Sequence, residues 1–192
     1  MTRLRWLALL LGSAWAFWVG MQLVHELGHC AGAAVSGGVV DRLVLEPLSF
    51  SRTDLNHNPH PGVVVWAGPL LGVLAPCLAW SIAALFHLRF AYLLRAFAGF
   101  CLIANGGYIA VGSLERVADA GEMLRFGSPP WVLWAFGLVC VPAGFALWHG
   151  QGEHFGFGRA KGRVVAVDAY VMLALGVALF GVEVMLAVGG SL

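Results

Sequence analysis

Five stretches of this chain are apolar for long enough to cross a lipid bilayer, and that leaves little choice of fold. A hydrocarbon core about 30 Å thick takes about 17–25 helical residues. Runs of that kind extend approximately over 6–34, 62–88, 96–114, 131–148 and 164–188. Of the 192 residues 60% are hydrophobic and 11% charged, against roughly 45–50% and about 25% in soluble domains. Backbone polar groups in lipid must pair with one another, which favours helices. The connections are too short to hold an independent domain. The expectation is an all-α, polytopic membrane bundle of about five transmembrane helices, forming a single domain over 1–192.

Charge narrows the partners. The net charge of +1 is spread over single basic residues, which speaks against a nucleic-acid partner and leaves the lipid bilayer as the environment. Ten Arg against one Lys point to a GC-rich bacterial genome and hence to an inner (plasma) membrane. With the N-terminus inside, Arg3, Arg5, Arg89, Arg95, Arg159, Lys161 and Arg163 are cytoplasmic and Arg42, Arg52, Arg116 and Arg125 lie outside, a weak positive-inside bias. The start, "MTRLRWLALLLGSAWA", imitates a signal peptide. Cleavage after Ala16 would leave too few residues to span before His25, so it reads as an uncleaved anchor. Cys30, Cys77, Cys101 and Cys140 form no C-x-x-C pair and read as packing residues.

Between the first two spans, "GGVVDRLVLEPLSFSRTDLNHNPHP" mixes β-branched residues with turn formers, the pattern of a short β-hairpin. "HGQGEHFGFGRAKGR", before the last span, reads as a flexible glycine-rich loop. Pro76 and Pro142 are expected to kink their helices. Asp168 and Glu183 are 15 residues apart in the last span, about 22 Å along a helix, too far to share one ion.

The costly feature is "HELGH" at 25–29, since ionisable groups in a span are expensive and mark function. On a helix advancing about 100° per residue, His25 and His29 are offset by only about 40° and lie one turn apart. Both imidazoles can therefore reach one metal ion. Glu26, between them in sequence, is placed to take a proton from an attacking water rather than to bind the metal. Catalytic zinc commonly has three protein ligands. Asp119, in "LERVADAGEMLRFGSPP", follows the third span, and after two crossings the chain is back on the side where the first span carries HELGH. Glu122, one turn from Asp119, competes with it; His57, His60 and Asp168 are further candidates.

These residues resemble the site-2 protease family of intramembrane zinc metalloproteases, the M50 peptidases and their M50B-like branch. The resemblance rests on HELGH, on "WAGPLLG" at 66–72, similar to the family's Ala-Gly-Pro segment, and on "ANGGYIAVGSLERVADAG" leading to Asp119. It implies Zn²⁺ held by His25, His29 and Asp119, Glu26 as catalytic base, and Asn105 as a polar contact to substrate backbone. It further implies a zinc endopeptidase cutting a peptide bond in or near a transmembrane segment of a membrane-protein substrate. The alternative is a non-proteolytic metal-binding membrane protein, regulatory or chaperone-like. The local Ala118-Asp119-Ala120-Gly121, 14 residues beyond Asn105, departs from the family's usual Asn-x-x-Pro and Leu-Asp-Gly.

Overall fold

The computed structural model describes residues 2–189. Six helices and one hairpin follow one another: α1 Thr2–Ser36, β1 Val39–Val44, β2 Arg52–His57, α2 Pro61–Leu85, α3 Ala91–Glu115, α4 Ala118–Arg125, α5 Pro130–Trp148 and α6 Ala166–Gly189. All the helices but α4 are long and apolar enough to cross a membrane, and the chain reads as an integral membrane protein. The expected hairpin is there, antiparallel, with Leu43 opposite Thr53 and Val44 opposite Arg52.

Lipid-facing helices gain little from burying apolar groups against each other, so small residues and close backbones hold them together. Here α1 carries Gly28 and Gly32, one turn apart. A Cβ added at Gly28 would fall 2.4 Å from the Ala67 carbonyl oxygen, and one at Gly32 would fall 2.6 Å from the Ala67 Cβ. Along its other flank α1 meets α6, where a Cβ on Gly12 would strike the Leu173 backbone at 2.7 Å. α3 packs chiefly against α5 and then α2. α1 and α3 run in the same direction, and their backbones approach closely at few places.

Two segments differ from the expectations. α3 begins at Ala91 rather than near 96, with Arg95 inside its first turns, where the guanidinium donates to the carbonyls of His149 at 3.1 Å and Ala146 at 3.4 Å. The glycine-rich segment before α6, expected to be flexible, is folded against the bundle end. Trp6 Nε1 donates to the Phe155 carbonyl at 2.9 Å, and His154 stacks on Tyr92 with centroids 4.7 Å apart. Pro69, Pro76 and Pro142 lie inside helices that continue through them. At the same end Asp168 accepts hydrogen bonds from Arg89 and Tyr92.

Candidate metal centre

The i, i+4 spacing does what helix geometry dictates. His25 and His29 lie on the buried side of α1, with Nε2 atoms 3.1 Å apart. Asp119 arrives from α4, its Oδ2 2.9 Å from His25 Nε2 and 3.4 Å from His29 Nε2. One ligand atom from each of the three residues falls within 4.8 Å of the others, so the group can hold a metal ion.

The far side of each imidazole fixes its chemistry. His29 Nδ1 is 2.9 Å from the Val64 carbonyl, which can only accept, so Nδ1 carries the proton. Asn105 Nδ2 donates to the Cys101 carbonyl at 2.9 Å, which turns Oδ1 toward His25 Nδ1 at 2.6 Å. Nδ1 of His25 is therefore also a donor. In the neutral rings both Nε2 atoms then present lone pairs to each other and to a carboxylate. Three electron pairs converging in a buried site require a cation among them: protons on the rings or a metal ion. Outer hydrogen bonds that fix histidine tautomer and ring orientation are the usual support of metal ligands.

Asp119 is delivered by an unusual turn. α3 ends with Arg116 in the left-handed region (φ 57°), and Ala118, first in α4, is left-handed too (φ 47°). Neither is glycine, and each such conformation costs about 1–3 kcal/mol. Gly121 lets the turn close: a Cβ there would lie 2.3 Å from the Arg116 carbonyl oxygen. Burial alone would raise the Asp119 carboxyl, but the facing His25 and His29 outweigh it and hold its pKa below the usual carboxylate range.

α2 makes room for the outer partners. A Cβ on Gly68 would fall 2.3 Å from His29 Cε1, and one on Gly72 would fall 2.8 Å from Asn105 Oδ1. "WAGPLLG" thus supplies two notches, one turn apart, for the side chains of its neighbours.

Glu26 is buried beside the histidines and outside the metal group. Its Oε2 accepts from the Thr53 hydroxyl at 2.7 Å. Glu26, His29, Thr53 and Asp119 all line a cleft of about 1020 Å³, with charged Arg52, Asp54 and Arg125 farther along its wall.

The structure brings together His25, His29 and Asp119, with Glu26 alongside and Asn105 behind His25. Glu122 lines the cleft but is not in the ligand group, nor are His57 and His60; Asp168 sits at the opposite end of the bundle. Asn105, expected to meet substrate backbone, is 1% exposed and engaged at both ends of its amide, so its visible task is to hold His25. Thr53 escaped the sequence reading, although alternation along "SRTDLNH" puts it on the same strand face as Leu55. Gln22 escaped it too: its Oε1 accepts from the Ser51 backbone N–H at 2.9 Å and hydroxyl at 2.8 Å, tying the hairpin turn to α1.

No protein-family model matches the chain, and no similar protein was found among the curated proteins or the solved structures.

Proposed function

We propose that this chain is an integral-membrane zinc endopeptidase of the site-2 protease kind, cutting a peptide bond in or beside a transmembrane segment of another membrane protein. The convergence of three ligand lone pairs from His25, His29 and Asp119, with the Glu26 carboxylate beside them and outside the ligand group, carries the reading. Two nitrogens and one carboxylate oxygen suit zinc, and three protein ligands leave one position for chemistry. When bound there, zinc supplies Lewis acidity toward a carbonyl and a water molecule.

The rest falls to the chain. The Thr53 hydroxyl holds Glu26 Oε2, so the carboxylate is oriented before substrate arrives. Glu26 takes a proton from water as the water oxygen attacks the scissile carbonyl carbon. It returns that proton to the amide nitrogen as the C–N bond breaks, acting as base and then acid. Val64 and Asn105 keep both imidazoles aimed throughout. The charged cleft admits water to a site that α1 carries 23 residues beyond Thr2, about 35 Å along the helix, near the far membrane surface. The seven basic residues at the N-terminal end of the bundle, against four at the other, support an inner-membrane protein with its metal centre toward the outer side.

The test is cleavage of reconstituted transmembrane substrates by wild type and Glu26→Gln, with zinc assayed in both. The reading expects the variant to keep zinc and lose cleavage. Zinc binding with no cleavage of any membrane substrate by wild type would favour the non-proteolytic alternative.

A further inference from the structure

The seam between α1 and α3 is filled at one level and open at the next. Toward the N-terminal end, Phe17 packs against Phe97 and Phe100, with ring centroids 5.5 and 6.1 Å apart. One turn farther, between Met21 and Gln22 of α1 and Ala104 of α3, lies a cavity of about 310 Å³. Phe50 of the hairpin turn and Tyr108 of α3 also line it, their rings stacked 6.3 Å apart. The hairpin turn is fastened there by Trp18 Nε1, which donates to the Pro47 carbonyl at 2.9 Å, and by Gln22. His25, Glu26 and Asn105 complete the lining, so the cavity adjoins the metal centre directly.

Size and chemistry limit what belongs in it. At about 30 Å³ of liquid volume per water the space equals about ten waters, at the bottom of the roughly 300–1,000 Å³ range of ligand pockets. A helix does not fit; one large side chain does. A charged one would shed its water and meet only the ionisable groups the reaction uses. One donor is also left over: Gln22 Nε2 is buried without an acceptor among the described residues, while Oε1 of the same amide is engaged. A buried N–H left unpaired costs about 1–3 kcal/mol, and a backbone carbonyl entering with the side chain satisfies it.

We infer that this cavity is the specificity pocket of the enzyme, taking a large apolar side chain (leucine or phenylalanine in size) of the residue next to the scissile bond. The inference rests on the peptidase reading of the metal centre. Phe50 and Tyr108 set the pocket's depth, and Ala104 its width.

The experiment uses the detergent-solubilised full chain, zinc-loaded, and a series of N-acylated amino-acid hydroxamates, whose head group seeks the metal and whose side chains run from glycine through alanine, leucine and phenylalanine to tryptophan. Calorimetric affinities are expected to rise at least tenfold from the glycine to the leucine or phenylalanine compound. Ala104→Phe, filling the cavity, is expected to reduce that gain to within twofold while keeping zinc and the glycine compound's affinity. Phe50→Ala is expected to move the optimum toward the indole of tryptophan, and serves equally should Ala104→Phe fail to fold. Equal affinities across the series, or a gain indifferent to both variants, would overturn the pocket and leave the metal reading standing. A zinc-loaded protein that binds none of the compounds, glycine's included, would overturn both.

Discussion

The two arms of the metal centre are built on opposite principles. α1 delivers His25 and His29 by regular helix geometry, and its hold on α2 through Gly28 and Gly32 is repeated turn by turn. The arm of Asp119 is a single eight-residue helix reached through two left-handed residues, Arg116 and Ala118, and closed by Gly121. The histidine arm is stable because its neighbours repeat the same contact. The aspartate arm stores strain and relies on one close approach. The difference teaches where such a site should fail first: the histidines are lost only by replacing them, whereas the carboxylate can be lost by disturbing a turn it does not belong to.

The largest effect is expected for His29→Ala, which removes one of three ligands and should abolish stoichiometric metal in the purified protein by elemental analysis. Gly121→Val comes next, since its Cβ lands on the Arg116 carbonyl and must push the start of α4 away from the histidines. Metal affinity should fall at least a hundredfold while far-UV circular dichroism keeps the helical signal. Gly107→Ala is its control, because an added Cβ there meets nothing within 4 Å; unequal effects of these two variants sharpen the contrast, and equal ones break it. Asn105→Ala frees the far side of the His25 ring, and the loss of such an outer partner typically costs about 10–100-fold in metal affinity, readable by competition with a chelator. The smallest effect is Arg116→Gly, which relieves a left-handed conformation costing an L-residue about 1–3 kcal/mol. It should raise thermal stability slightly with metal content unchanged; a loss of metal would mean that the Arg116 side chain itself holds the turn.

Sequence periodicity carried the regular arm and the layout around it. Five apolar runs became five long helices, and the four-residue spacing of His25 and His29 became adjacent ring nitrogens. Counting crossings was enough to bring Asp119 to the same end of the bundle as His29, because parity of spans is independent of packing detail. What distinguishes Asp119 from Glu122 is the turn at 116–118, and backbone strain in non-glycine residues leaves no mark in composition. The true start of α3 was hidden for a related reason. Arg95 looks like a span-ending charge until its partners, the carbonyls of Ala146 and His149, are seen across the fold. Gly68 and Gly72 were visible as part of a motif, yet their job, clearing space for His29 and Asn105, exists only once three helices are assembled.

The most direct measurement is the zinc content of detergent-purified wild type beside Asp119→Ala, with folding checked by circular dichroism in both. The lone pairs of His25, His29 and Asp119 predict about one zinc per chain in the wild type, as a three-ligand site requires. They predict its loss, or at least a severe weakening, in the variant. A folded wild type that takes up no zinc even after incubation with the ion would contradict the account, and full retention without Asp119 would contradict the role given to the strained turn.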